Sequence, residues 1–260
     1  MSQKDLDFCQ KLADLADEIS MARFGALDLI IETKPDLTPV SDADKKVEEE
    51  LRKLILQYSP TDSIIGEEFG VDGNSNREWI LDPIDGTKNF VRGVPFWGTL
   101  IGLRVDNKMQ VGMVSAPALG RRWFGAIGHG SYLRTHTNNF KNERKLQVSK
   151  VSKIEDAYFG YSSQERWAKR NQEENFEKLL KKVWRARGFG DFIIHMMVAE
   201  GSIDFSMEPK LAVWDMAALI PIISEAGGKT TSLEGGDPLE DKSLVTTNGL
   251  LQEDVLKIIN

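Results

Sequence analysis

The 260-residue chain is long enough to bury a sizeable core, since a chain of this length hides roughly three quarters of the surface that its unfolded form exposes. Its 41% apolar and 28% charged residues are ordinary globular values, and a net charge of −7 argues against a nucleic-acid partner. A single cysteine, Cys9, excludes an internal disulfide, the polar start "MSQKDLDFCQ" is unlike a secretory signal, and no apolar run reaches the roughly 20 residues a bilayer requires, so a cytoplasmic protein without a membrane partner is expected.

In chain order, Leu12, Leu15, Ile19 and Ala22 recur at helical spacing, with Gly25 as the stop. Cys9 falls on the apolar side of that helix and reads as core. "ETKPDLTPVSDAD" contains two prolines and predicts an ordered loop. A second helix is expected from Ser41, with Val47, Leu51, Leu54 and Tyr58 on one face and Pro60 after its end. Strands are expected at "SIIG", "EWILD", "GTLIGLRV", "QVGMVSAP", "RWFGAIG" and "SYLRT", with a hairpin turn at Asp106-Asn107. Together they predict a large antiparallel sheet covered by the two leading helices.

Beyond about residue 145 strands and helices alternate. "AYFGYS", "WRARGFG", "IDFSME" and "SLVTTNG" read as strands, and "QERWAKRNQEENFEKLLKKV" as a polar-faced helix. "WDMAALIPIISEAGG" reads as a helix closed by Gly227-Gly228, and "LLQEDVLKIIN" as the last helix. The chain is therefore expected to comprise an α+β half, residues 1–145, and an α/β half, residues 146–260, joined through the polar stretch "THTNNFKNERKLQ".

The chemistry concentrates in "WILDPIDGTKNF", residues 79–90. Pro83 restricts Asp82 to extended geometry and Gly86 permits a backbone shape that other residues resist. Thr87 and Asn89 can cap a following helix whose free N–H groups favour an anion. Two carboxylates, the Ile84 carbonyl and a helix start suit a hard cation beside a phosphate oxygen. An ordinary Asp-Pro turn fits the same residues. Glu67 and Glu68 follow "SIIG"; if that strand neighbours "WILD", the acids meet at one sheet edge and call for a cation or raised pKa values. Asp215 opens a helix, where it either joins this cluster or simply satisfies the helix dipole.

These segments resemble the inositol-monophosphatase family, through "GEE" (66–68), "WILDPIDGTKNF" (79–90) and "WDMAALIPIISEAGG" (214–228). "DPIDGTKNFVRGVPFWGTLI", "VSAPALGRRWF" and "RARGFGDF" look like its bacterial histidinol-phosphatase branch. Lys88 stands where mammalian members have a second threonine, and Gly188-Phe189-Gly190-Asp191 where they have a small-residue stretch, which counts against inositol phosphate as substrate.

The resemblance implies a layered αβαβα sugar-phosphatase fold and a homodimer acting on a small phosphate monoester. It implies roughly two to three Mg²⁺ ions per site. Glu67, Asp82 and the Ile84 carbonyl would hold the first; Asp82, Asp85 and Asp215 the second, with Asp82 bridging; a weaker third would sit near Glu67. Thr87, assisted by Glu67 and Asp44, would orient the attacking water, and the N–H groups of Gly86 and Thr87 would receive the phosphate. Glu208 matches a position that binds the rest of the substrate. Asp191 and Glu208, both acidic, would complement the ammonium of histidinol phosphate; Asp191 could instead cap the helix "FIIHMMVAEG". Arg187 would pair with one of these acids or with phosphate, or be a solvated strand residue, and Lys88 would touch phosphate or be a surface lysine. His129 and His136 lack zinc-ligand spacing, His195 reads as core, and Trp97, Trp123 and Trp184 as core or dimer contacts. The expected activity is Mg²⁺-dependent hydrolysis of L-histidinol phosphate. Inositol monophosphatase, adenosine 3′,5′-bisphosphate phosphatase and a catalytically inactive metal-binding scaffold are the alternatives.

Overall fold

Helix α1 (Gln3–Arg23) buries Leu6, Cys9, Leu12, Ala13 and Ala16 along one face, and Gly25 turns the chain at φ +75°. The computed structural model describes residues 3–35, 37–137 and 140–260, and their side chains except those at 136, 137, 140 and 141. The expected proline loop contains a small hairpin instead. Strand β1 (Ile31–Thr33) pairs antiparallel with β2 (Pro39–Ser41), and Leu37 turns left-handed at the tip. Ser41 caps α2 (Asp42–Tyr58) in a capping box with Asp44, whose carboxylate accepts from the Ser41 N–H. The buried stripe of α2 runs through Val47, Leu51 and Ile55.

Next come β3 (Ser63–Gly66), β4 (Gly70–Asp72), β5 (Arg77–Asp85) and the short helix α3 (Thr87–Val91). A meander follows through β6 (Gly98–Val105), β7 (Lys108–Ala116), β8 (Arg121–Ala126), β9 (Gly130–Thr137) and β10 (Phe140–Lys145). These strands form a sheet in the order β10-β9-β8-β7-β6-β5-β3-β4, antiparallel except that β3 and β5 run parallel. Asp106 and Asn107 both take positive φ in the β6–β7 turn, as a two-residue hairpin turn requires. The polar stretch read as a junction between halves supplies β10, paired along β9.

The remaining elements are β11 (Tyr158–Tyr161), α4 (Gln164–Lys169), α5 (Glu173–Lys182), β12 (Arg185–Gly188), α6 (Asp191–Ala199) and β13 (Phe205–Glu208). They continue through α7 (Val213–Ala217), α8 (Leu219–Glu225), β14 (Lys229–Thr231), α9 (Pro238–Asp241), β15 (Leu244–Thr247) and α10 (Gln252–Ile259). The second sheet has the order β12-β11-β13-β15-β14. Two helices expected as continuous are each split. Asn171, at φ +59°, separates α4 from α5, and Ala218 separates α7 from α8. Pro221 explains the second break, because it lacks the N–H that a continuous helix needs there but is tolerated in the first turn of a new one.

Helices α1 and α2 cover one face of the large sheet, where Leu12, Leu51, Trp79, Leu81 and Met113 share a core. The other face packs on α6, α7 and α8 through Leu100, Val114, Ile194, Leu219 and Ile222. The second sheet lies on the far side of those helices, and Phe159, Phe176, Phe205 and Val255 join it to α5 and α10. This is the expected αβαβα layering, and its middle core draws on residues from both sides of residue 145. Among the described residues no helix is long and apolar enough to cross a membrane.

Glycines let α7 and α8 come close to the sheet. A Cβ on Gly112 would stand 2.0 Å from the Ala218 carbonyl oxygen and 2.8 Å from Pro221 Cγ. Gly112→Ala is therefore expected to cost about 1–3 kcal/mol by overpacking, read as a lower denaturant midpoint. An unchanged midpoint would mean that α8 does not rest tightly on β7.

Candidate active site

On a regular strand, residues three apart point to opposite faces, because side chains alternate. Asp82 and Asp85 escape that rule. The β5–β6 register runs Asp82 opposite Leu100 and then Asp85 opposite Gly98, so β5 carries one extra residue in the interval. The bulge at Pro83-Ile84 returns Asp85 to the face of Asp82. Thr99 stabilises it by donating its hydroxyl to the Pro83 carbonyl at 2.8 Å. Ile80 shows which face this is, since it packs with Ala217 of α7.

Helix α7 brings the third acid. Asp215 accepts from the Ala212 N–H at 2.8 Å, which fixes it in the first helical turn. Asp82, Asp85 and Asp215 each present an oxygen within 4.8 Å of the others. Asp85 also accepts from the Phe192 N–H at 2.7 Å, at the start of α6. Gly86 then takes φ +84°, and a Cβ there would press to 2.9 Å on the Phe96 carbonyl oxygen. Gly86 itself occupies the cap position of α3, without a side-chain cap from Thr87 or Asn89. The Thr87 hydroxyl lies 3.0 Å from the Ile84 carbonyl oxygen and 3.1 Å from Asp44 Oδ1, joining α2 to the bulge.

Strands β3 and β5 are neighbours, with Gly66 opposite Leu81, so Glu67 enters the same edge and its N–H donates to the Leu81 carbonyl. Glu67 and Glu68 share one cation, Lys34 on the hairpin, at 2.7 and 2.6 Å. Glu48, fully buried on α2, accepts from the N–H groups of Glu68 and Phe69 and holds that turn in place.

Burial first, and repulsion from neighbouring carboxylates second, push Asp82 and Asp85 toward protonation. Asp82 lies well above the ordinary carboxylate range through burial and the charges of Glu67, Asp85 and Asp215. Asp85 does so through burial and the charges of Asp191 and Asp215. Burial raises Asp215 to about 6 against the opposing Ala212 hydrogen bond, and also raises Asp44. Asp82 Oδ1 is buried without a hydrogen-bond partner. An orphaned acceptor among all-oxygen donors is the environment that a hard divalent cation satisfies, so the residues fit a metal centre.

Two of the expected substrate-facing acids lie beside this cluster. Asp191 is the first residue of α6 at φ +52°; its Oδ2 accepts from Asn89 at 3.1 Å and would lie 3.4 Å from a Cβ on Gly86. Gly190, not Asp191, occupies the helix cap, with no side-chain bond. Glu208 ends β13 almost wholly buried, which raises it to about 7. Its ion pair is with Arg166 of α4 at 3.3 Å. Arg187 is exposed on the edge strand β12, donates to the Ala186 carbonyl, and makes no ion pair among the described residues. Lys88 is exposed, and its charge opposes the burial-driven rise of Asp191.

Sequence reasoning missed Lys34, Glu48, Asn89 as a partner of Asp191, and Arg166. Lys34 alone left a signal, a lone lysine in the proline loop beside an acidic motif. Cys9 is buried, and burial pushes its thiol up. His195 is buried and held neutral, its pKa lowered to about 3, with Nδ1 between Thr246 and Ser206. Trp97 and Trp123 are core, whereas Trp184 is exposed before β12. The side chain of His136 lies outside the described residues.

The family model described as the inositol monophosphatase family matches residues 2–260. A histidinol-phosphatase of Mycobacterium tuberculosis is 48% identical over 261 residues, spanning 100% of this chain and 99% of that protein. A histidinol-phosphatase of Streptomyces coelicolor is 47% identical over 260 residues, spanning 98% and 97% respectively. Among solved structures, the extragenic suppressor protein suhB of Bartonella henselae matches with a TM-score of 0.88 at 26% identity, over 99% of each chain.

Acids that hold protons more tightly when folded make the native state bind more protons than the unfolded one, so stability falls as pH rises. The loss begins near about pH 4, the ordinary aspartate range. The share of Asp215 is complete above about 6, and those of Glu68 and Glu208 above about 7. In chelator, the urea midpoint is expected to drop between about pH 5 and about pH 8, and added Mg²⁺ to flatten the slope. A midpoint that climbs with pH would contradict the clustered-acid account.

Proposed function

The chain belongs to the inositol monophosphatase family and is a metal-dependent phosphomonoesterase; from that premise we propose that it uses Mg²⁺ to hydrolyse L-histidinol phosphate to L-histidinol and phosphate in histidine biosynthesis. The observation that supports this reading most is full-length identity of 47–48% to two histidinol-phosphatases. Asp191 and Glu208 add a physical reason, since two carboxylates beside the cluster suit a substrate with a primary ammonium better than a neutral polyol.

Glu67, Asp82, the Ile84 carbonyl, Asp85 and Asp215 would hold the Mg²⁺ ions, which when bound neutralise phosphate charge and acidify water. The N–H groups of Gly86 and Thr87 receive phosphate oxygens, and the missing side chain at Gly86 lets that turn rest against the Phe96 carbonyl. Thr87 Oγ1 accepts an O–H from the attacking water while its own proton points to Asp44, 3.1 Å away. Burial raises the proton affinity of Asp44, which suits it to hold that proton. As the water oxygen bonds phosphorus the P–O ester bond breaks, and the leaving oxygen takes a proton from solvent water to depart as the alcohol, balanced when Asp44 returns its proton to solvent; Asp191 and Glu208 orient the departing amine. Arg166 supplies the positive charge paired with Glu208. Arg187, on the exposed edge strand, is left to contact substrate from the rim.

The reading extends to a cytoplasmic homodimer, on the strength of the family resemblance and of a single, free cysteine. A monomeric mass in sedimentation equilibrium at micromolar concentration would refute the dimer, and export of the tagged protein from its cell would refute the location.

Phosphate release is to be compared for histidinol phosphate, inositol 1-phosphate and adenosine 3′,5′-bisphosphate, with Mg²⁺ and with chelator. A Mg²⁺-dependent preference for histidinol phosphate is expected; preference for a rival would move the substrate and keep the chemistry. Asp85→Asn is expected to lower turnover by roughly 100-fold or more while leaving the metal-free unfolding midpoint unchanged or higher. Wild-type turnover in that variant would remove Asp85 from the mechanism.

A further inference from the structure

Asn89, on α3, ties the Gly86-Thr87 turn to one of the two acids beside the cluster. Its side-chain amide donates to the Phe96 carbonyl at 2.8 Å and to Asp191 Oδ2 at 3.1 Å. The turn also lies against Asp191 directly, since a Cβ on Gly86 would stand 3.4 Å from Asp191 Oδ2. In the next residue, the Phe192 N–H donates to Asp85 at 2.7 Å. Asp191 is thus held to α3 by its side chain and to β5 through its neighbour.

The backbone there runs against local preference. Gly190 and Asp191 take φ +79° and +52° in succession, left-handed values that a non-glycine residue adopts rarely. Such a conformation persists where the surrounding contacts impose it, and here they come from Asn89 and Asp85. Asp191 is half-buried, and among the described residues no hydrogen bond or ion pair reaches its Oδ1. Arg166 and Lys88 act on it only through their charge. Glu208 differs on both counts. It is buried at the end of β13, and its carboxylate already pairs with Arg166 at 3.3 Å.

We propose that Asn89 is a positioning residue that aims Asp191 at an ammonium vicinal to the phosphate ester, so that the enzyme accepts phosphates of vicinal amino alcohols as a class and reads the amine ahead of the imidazole. The inference deepens the substrate reading above and rests on it. With phosphate on the N–H groups of Gly86 and Thr87, a carboxylate beside Gly86 meets a nitrogen carried next to the ester-bearing carbon. A nitrogen farther along the substrate overshoots it. An ammonium that donates to a carboxylate lacking an ion pair gains a charge-assisted bond. An analogue without the amine leaves that carboxylate unsatisfied, which is how a polar subsite rejects it. Glu208, already paired, adds its charge at longer range. The hydrolysis itself is unchanged: water oxygen bonds phosphorus, the ester P–O bond breaks, and the amino alcohol leaves with a proton from solvent.

The test is phosphate release with Mg²⁺ from histidinol phosphate, its deaminated analogue that keeps the ring, phosphoethanolamine, ethylene glycol phosphate, and propanolamine phosphate with the amine one carbon farther out. Wild type is expected to favour phosphoethanolamine over ethylene glycol phosphate roughly tenfold in kcat/KM, the value of one hydrogen bond to a charged group. Propanolamine phosphate is expected to lose that preference, and removing the amine from histidinol phosphate to cost more than removing the ring. Asp191→Asn is expected to level amine-bearing and amine-free substrates. Asn89→Ala is expected to raise KM for the vicinal amines alone, with kcat little changed; Asn89→Ser makes the same comparison if the alanine variant does not fold. Losses that fall equally on amine-free substrates in a folded Asn89 variant overturn the positioning role. A preference for the amine that survives Asp191→Asn overturns the inference too, because Glu208 would then be the reader. Equal turnover of phosphoethanolamine and ethylene glycol phosphate, beside normal turnover of histidinol phosphate, overturns it and leaves the substrate reading intact. Failure of wild type to hydrolyse histidinol phosphate removes that reading, and the inference with it.

Discussion

Repulsion between buried carboxylates is the constraint on which the arrangement of this molecule depends. Asp82, Asp85 and Asp215 converge to within 4.8 Å, with Asp82 almost wholly buried and Glu67 and Asp44 beside them. Such a cluster is unfavourable unless its charge is compensated. The fold compensates only in part. Backbone N–H groups at the starts of α6 and α7 donate to Asp85 and Asp215, and Lys34 covers the outer edge. The rest appears as raised proton affinities and one orphaned oxygen, which a divalent cation can relieve. Stability and function oppose each other here, because the groups that strain the metal-free protein are those that the proposed chemistry requires.

The layered architecture makes the convergence possible. Asp82 and Asp85 come from one sheet, Glu67 from its parallel neighbour, and Asp215 from a helix packed on the face that they share. Asp44 arrives from the opposite layer through the bulge, by way of Thr87. Glycines at the helix–sheet contact permit the approach, and the rigid strands hold the donors without relying on loops. The hairpin carrying Lys34 reaches the rim of this cluster from outside the sheet, through its ion pairs with Glu67 and Glu68.

The acids proposed to face the substrate follow another logic. Glu208 is buried and paired with Arg166, and Asp191 is held by Asn89 and felt by Lys88. Each carboxylate keeps a cation or a donor nearby, so their surroundings are closer to balanced than the cluster of Asp82, Asp85 and Asp215. The partners of Asp191 and Glu208 are side chains, whereas Asp85 and Asp215 are fixed by backbone N–H groups.

Much of this was legible in the chain. Helical spacing in α1 and α2, the Ser41 cap, the Asp106-Asn107 turn and the acidic ends of "SIIG" and "WILD" are local features, because capping, turn chemistry and periodicity act over a few residues. The break at Ala218 had a local signal in Pro221 that the helical reading passed over, whereas the small hairpin and β10 were not legible, since packing between distant segments decides whether a polar or proline-rich stretch pairs or loops. Arg166 and Asn89 could not be assigned either: their partners lie 42 and 102 residues away, and no local pattern encodes such a meeting. The sequence by itself determined which residues carry charge and where the backbone must bend, because proline and glycine act on their own φ angles. Only the tertiary structure decided that the bend puts Asp82 and Asp85 on one face and brings Asp215 opposite them, because that depends on the β5–β6 register and on a helix packed from the far half of the chain.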